Sequence, residues 1–190
     1  MDLEAFILIG GRSTRFGRDK AFVEFKGETL AGRVARVVQS AFPDRAIHFV
    51  AASENQFGSK IKDLEWPVVY DRRSGFGGWS AVDAALTNSR SEWTLVLACD
   101  LPFVTPELLR SLANEESDDV DAVVPRQTDG RLQPLCAFYR TSPAGRAVGD
   151  IFAQGGRLPP LVSIFDELTH SVVAAGDDVL RNVNSPADLI

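Results

Sequence analysis

Residues 93–99 run Trp, Thr, Leu, Val, Leu, Ala, Cys, with Thr94 the lone polar side chain. A strand with one wet face alternates polar and apolar residues, whereas a strand apolar at successive positions must be covered on both faces. Helices packed on either side of a sheet provide that cover, so this run asks for a layered α/β fold. The rest of the chain has the required alternation. Strands are predicted over residues 5–9, 46–52, 67–70, 120–124, 135–139 and 170–174, the last as an edge. Between them, Leu30, Val34, Val37, Val38 and Ala41 recur at helical spacing and predict a helix over 29–42, stopped at Pro43 and Asp44. Further helices are expected over 79–86 and 142–152, and one opens at Thr105, an N-cap followed by Pro106 at the first helical position. Short helical pieces are expected over 53–64 and 161–168, and a last turn from Ser185. The expectation is one domain over residues 1–190, α/β, with a doubly wound and mainly parallel sheet.

Charge narrows the function. The chain has 20 Lys and Arg against 26 Asp and Glu, a net charge of −6, which disfavours bulk nucleic-acid binding. A local concentration of cations can still take an anionic nucleotide. Cys99 and Cys136 lie in apolar runs without C-x-x-C spacing and are expected as buried thiols. No basic segment followed by an apolar one opens the sequence, and no apolar stretch is long enough to span a bilayer, so a cytoplasmic enzyme is expected. His48 and His170 lack ligand-like neighbours, and Trp66, Trp79 and Trp93 are read as core.

The predicted first strand runs into Gly10 and Gly11 and then a polar loop holding Arg12, Arg15, Arg18 and Lys20. Glycines let a backbone approach a ligand closely, and forked guanidinium donors with a point-charge ammonium suit a polyphosphate. The pattern G-G-x-S-x-R-x-G-x-D-K is neither a Walker loop nor a Rossmann fingerprint. In open α/β sheets ligands gather beyond the carboxyl ends of strands. Asp71 follows one predicted strand and Asp100 follows the 93–99 run, while Asp19 lies in the first loop. A carboxylate at position 100 can hold Mg²⁺, which prefers oxygen ligands and bridges phosphates; the other reading is an Asp that satisfies turn amides. The stretch from Gly75 through Phe76 and Gly77 to Gly78 precedes a helix, where backbone amides can meet an anion.

Three segments carry a resemblance. The loop from Gly10 to Lys20, the stretch from Leu97 through Cys99, Asp100, Pro102 and Phe103, and the C-terminal Asn182, Asn184, Ser185, Pro186 and Asp188 are together similar to the molybdenum cofactor guanylyltransferases. They occur in the family's order and cover both ends and the middle of the chain. The resemblance implies a Rossmann-like, GT-A-like nucleotidyltransferase fold. It implies transfer of GMP from GTP to the phosphate of molybdopterin, with Mg²⁺ as cofactor and pyrophosphate released. Carried over by position, Leu8, Ile9 and Gly10 match the loop start whose backbone contacts guanine, Gly11 beside them is expected to bind nucleotide, and Arg15 and Lys20 match the triphosphate contacts. Asp71 matches a nucleoside contact and Asp100 the magnesium ligand. Asn182 and Asn184 match an asparagine pair at the acceptor side, with turn formation as the alternative reading. The implied partners are GTP, the molybdenum cofactor and, downstream, molybdoenzymes and cofactor-biosynthesis proteins. Departures from the family pattern are Ile9 for the usual Ala, Gly75–Gly78 without the family's Pro, and Gln133 where the family usually has His. A transferase for another base or acceptor, such as the cofactor's cytidylyltransferase, and a non-catalytic cofactor-delivery protein are the alternatives.

Overall fold

A computed structural model describes residues 1–11 and 19–189. Its main sheet has seven strands: β1 (Leu3–Leu8), β4 (Ala46–Ala51), β5 (Val68–Tyr70), β6 (Trp93–Ala98), β7 (Ala122–Arg126), β8 (Cys136–Arg140) and β9 (His170–Ala174). Their order is β5-β4-β1-β6-β8-β7-β9. The β1–β4, β1–β6, β4–β5 and β7–β9 pairs are parallel; only β8 runs against its neighbours. The predicted edge strand is indeed the edge.

Side-chain alternation across β1 and β6 divides the core into two layers. Leu3, Ala5, Ile7, Leu95 and Leu97 pack on one face with Val34, Ala35 and Val38 of α1 (Leu30–Ala41) and Leu109 and Leu112 of α3 (Pro106–Ala113). Phe6, Leu8 and Val96 pack on the other with Val82 and Ala85 of α2 (Gly78–Asn88) and Val148 and Ile151 of α4 (Thr141–Gln154). Truncating a fully buried Leu such as Leu97 to Ala should cost about 2–5 kcal/mol. Thr94, the polar exception in the apolar run, is fully buried, and its hydroxyl pairs with that of Thr141 at 2.8 Å. Burial of an unpaired hydroxyl would have been costly.

The helix starts follow the expected chemistry. Thr29 accepts from Gly32 N–H at 3.1 Å, and Thr105 accepts from Leu108 N–H at 3.3 Å with Pro106 at the start of α3. Both thiols are buried, and burial pushes each up to about 12. Trp79 and Trp93 are core, whereas Trp66 is half-buried, edge-on to Phe49. His48 stacks on Phe6 at 4.9 Å.

The short helical piece expected over 161–168 is a 3-10 helix, Leu161–Asp166, and the one expected over 53–64 is likewise a 3-10 helix, Gly58–Asp63. The latter segment lacks an apolar stripe long enough to favour a full helix, and Phe57 alone is buried there. A small hairpin, β2 (Glu24–Phe25) with β3 (Glu28–Thr29), was not anticipated. Its turn places Lys26 and Gly27 at φ of 53° and 83°, the left-handed pair of a type I′ connection. Among the described residues, no helix is long and apolar enough to cross a membrane.

Candidate active site at the carboxyl edge of the sheet

Four parallel strands, β5, β4, β1 and β6, deliver their carboxyl ends to one rim. Leu8 ends β1, and the chain then bends through Ile9 and Gly10, whose N–H groups both donate to the Val50 carbonyl, at 2.9 and 3.0 Å. A Cβ on Gly10 would lie 2.9 Å from the Ala52 backbone nitrogen, so only glycine fits without moving β4. Beside it, Cys99 donates its N–H to the Leu8 carbonyl at 3.1 Å, which sets Asp100 against the loop start.

Asp100 is where distant parts of the chain meet. Lys20 Nζ lies 3.0 Å from Asp100 Oδ2 and 3.4 Å from Asn184 Oδ1. The backbone repeats the convergence: Val183 donates its N–H to the Asp100 carbonyl at 2.8 Å. That bond, with the burial of Val183 against Val23, Phe25 and Leu30, brings the C-terminal segment to the rim. Asp188 then shapes it, accepting from Asn184 N–H and Ser185 N–H at 2.7 Å each and from the Ser185 hydroxyl at 3.1 Å. These backbone bonds hold the Asp188 carboxyl below the usual carboxylate range. Asn182 and Asn184 are both exposed, on either side of the buried Val183. Turn formation and side-chain display therefore coexist: the turn is made by Asp188, and the Asn184 amide remains for the site.

Asp71 stands at the end of β5, tied by its N–H to the Ala51 carbonyl at 3.0 Å. Its Oδ1 is buried without a hydrogen-bond partner among the described residues. Burial first, and the nearby Asp83 carboxylate second, push the Asp71 carboxyl from 3.8 up to about 6. Asp83, buried on α2, pairs with Arg73 at 3.6 Å. The loop 75–77 leads into α2, with Gly77 as its N-cap at φ 58°. Arg15, like Arg12 and Arg18, lies outside the described residues.

Residues 5–163 match the MobA-like NTP transferase domain. The chain belongs to that family. A relative in Pelotomaculum thermopropionicum, named "Probable molybdenum cofactor guanylyltransferase", is 34% identical over 97% of this chain and 88% of its own length. A second of that name, in Natranaerobius thermophilus, is 28% identical over 99% of this chain and 93% of its own. Among solved structures, the molybdopterin-guanine dinucleotide biosynthesis protein A of Archaeoglobus fulgidus superposes with a TM-score of 0.76 at 26% identity, covering 98% of this chain and 94% of that one. The 2-C-methyl-D-erythritol 4-phosphate cytidylyltransferase of Thermus thermophilus shares the fold, with a TM-score of 0.70 at 17% identity over 100% of this chain and 96% of that one. As a MobA-like transferase, the protein is a nucleotidyltransferase, and the rim of β5, β4, β1 and β6 is its candidate site.

Residues that sequence reasoning did not single out are Gln56, Lys60, Asp83 and Asp188. Asp188 lay inside the C-terminal motif, where three-residue spacing from Ser185 is a recognisable capping signal. The others carry no local signature.

Proposed function

We propose that this MobA-like transferase moves GMP from GTP to the terminal phosphate of molybdopterin, working as a cytoplasmic, one-domain enzyme. The observation that carries the reading is the convergence of Lys20, Asp100 and Asn184 at the end of β6, with the Gly10 bend beside them. Three segments far apart in sequence supply a cation, a carboxylate and an amide to one place, as a triphosphate and its acceptor require.

Base choice follows from which groups remain. Ile9 and Gly10 have spent their N–H groups on Val50, so to a base they offer acceptors. Asp71 adds a buried carboxyl oxygen with no hydrogen-bond partner among the described residues. Guanine presents an N1–H and a 2-amino group, both donors; cytosine and adenine present a ring-nitrogen acceptor in the corresponding place. Leu8, Ile9, Gly10, Gly11 and Asp71 are accordingly assigned to the nucleoside.

The acceptor phosphate is already an anionic nucleophile at neutral pH, so no general base is needed. One of its oxygens attacks the α-phosphorus of GTP. The bond from that phosphorus to the α–β bridging oxygen breaks, a phosphoanhydride forms, and pyrophosphate leaves with the electron pair. Lys20, and Arg15 from the first loop, are assigned to the charge of the departing pyrophosphate. Asn182 and Asn184 are neutral donors that can orient the incoming phosphate without repelling it.

The donor set fits magnesium. Asp100 offers a carboxylate oxygen and Asn184 an amide oxygen, both oxygen ligands. Magnesium at phosphate sites is held by one or two carboxylates and otherwise by substrate phosphates, a mode that a single strand-end carboxylate can serve. Asp100 would hold the ion, which when bound supplies charge neutralisation to the phosphates.

A panel of GTP, CTP, ATP and UTP with molybdopterin and magnesium, read by product mass and pyrophosphate release, tests the proposal. A guanine dinucleotide product is expected. A cytosine product would overturn the base assignment, and nucleotide binding without pyrophosphate release would favour a delivery role.

A further inference from the structure

Both ends of the first loop are held by one short segment elsewhere in the chain. Before the loop, the Gln56 side chain bridges two backbones. Its Oε1 accepts from Ala52 N–H at 2.7 Å, and its Nε2 donates to the Gly11 carbonyl at 3.3 Å. After the loop, Lys60 Nζ lies 2.8 Å from Asp19 Oδ2. Between them, the buried Phe57 packs edge-on against Phe22 at 5.1 Å, and the Lys60 ammonium sits 5.7 Å from the Phe22 ring. Asp19 directly precedes Lys20, whose ammonium is 3.0 Å from Asp100. Three residues within a span of five therefore grip Gly11 on one side of residues 12–18 and Asp19 and Phe22 on the other.

We propose that the segment from Gln56 to Lys60 is a clamp that fixes Gly11 and Asp19, the two feet of the nucleotide-binding loop, with Gln56 and Lys60 as positioning residues for the triphosphate. Feet already held in place lose less conformational freedom when a ligand binds between them, so the clamp raises nucleotide affinity without touching nucleotide. The two anchors differ in kind. Gln56 is geometric, since a planar amide with one donor and one acceptor spans the ends of β1 and β4. Lys60 is electrostatic, and its pair is about half exposed, so its effect should shrink with salt.

The site assignment rests on the function proposed above, but the clamp can be tested without it. Gln56→Glu keeps the acceptor toward Ala52 and removes the donor toward Gly11. Lys60→Met keeps a long apolar stem over Phe22 and removes the charge, and Lys60→Arg restores the charge. In the nucleotide-free protein, amide exchange in peptides covering Gly11 and Asp19 should quicken about threefold or more in Gln56→Glu and Lys60→Met, and return toward wild type in Lys60→Arg. In turnover, the KM for GTP should rise about three- to tenfold while the KM for the acceptor moves less than about twofold. The thermal midpoint should stay within a few degrees.

Unchanged exchange at both feet would overturn the clamp. So would equal rises in both KM values, or a Lys60→Arg variant as impaired as Lys60→Met. If the wild-type protein binds no nucleoside triphosphate, the function reading fails while the exchange result still decides whether the loop feet are clamped.

Discussion

Lys20 Nζ and Asp100 Oδ2 lie 3.0 Å apart although 80 residues separate them in sequence. The side chains are only 14% and 30% exposed, so the pair is partly shielded from water at the rim of the sheet. A cation from the phosphate-type loop and a carboxylate from the central strand thereby share one position with the Asn184 amide, 3.4 Å from the same ammonium.

Asp100→Asn should lower turnover by at least about 100-fold, because it removes the charge assigned to the metal and the partner of Lys20. The fold should persist, with a stability change of about 1 kcal/mol or less for a partly exposed ion pair. Pyrophosphate release at saturating magnesium measures the first and urea unfolding the second. Near-normal turnover would make Asp100 a turn residue.

Nucleotide binding should expel a proton near pH 6. The folded Asp71 carboxyl keeps its proton up to about 6, whereas an ordinary carboxyl loses it near 3.8. In that window the folded chain holds a proton the unfolded chain has released, so this group lowers stability as pH rises through it. Nucleoside donors at Oδ1 favour the ionised form, so GTP affinity should climb from pH 5 to about 7 and then level off. Calorimetry in two buffers of different ionisation enthalpy would show release near pH 6 and little at pH 8. Asp71→Asn should abolish the release, and persistence of the signal in that variant would place the proton elsewhere.

Gly10→Ala should destabilise the chain by about 1–3 kcal/mol, since its Cβ would sit 2.9 Å from the Ala52 nitrogen and must displace backbone. GTP binding should weaken together with stability, unlike in Asp100→Asn. An unchanged unfolding midpoint would mean that β1 and β4 separate more easily than their shared Val50 carbonyl suggests.

Asn182→Asp and Asn184→Asp should slow transfer more than they weaken GTP binding. A carboxylate in either place repels the incoming phosphate, while the groups assigned to the nucleoside, Leu8 to Gly11 and Asp71, are left unchanged by the substitution. Asn184 carries a second control: the turn depends on its N–H to Asp188, which the substitution keeps. Parallel loss of GTP affinity and thermal stability would reduce the pair to turn formers.

The chain by itself determined the layered fold, because each cue was local. Apolar residues at every position of 93–99 but Thr94 demanded cover on both faces, helical spacing marked α1, and Thr105 with Pro106 marked the start of α3. It also named Gly10, Lys20, Asp71 and Asp100, since strand-end acids and a glycine–cation loop are legible in one dimension, and Asn182 and Asn184 through the resemblance of the C-terminal motif to the family's. Only the tertiary structure decided how they meet. Sheet order sets β1 beside β6, which brings the loop start to Asp100, and the Val183–Asp100 backbone bond brings in the C-terminus. Gln56 and Lys60 were invisible for the same reason. A glutamine and a lysine in a polar stretch acquire meaning from what they touch, and Gly11 and Asp19 lie 45 and 41 residues away along the chain. The raised Asp71 carboxyl likewise comes from burial beside Asp83, an environment that residue type and spacing do not encode.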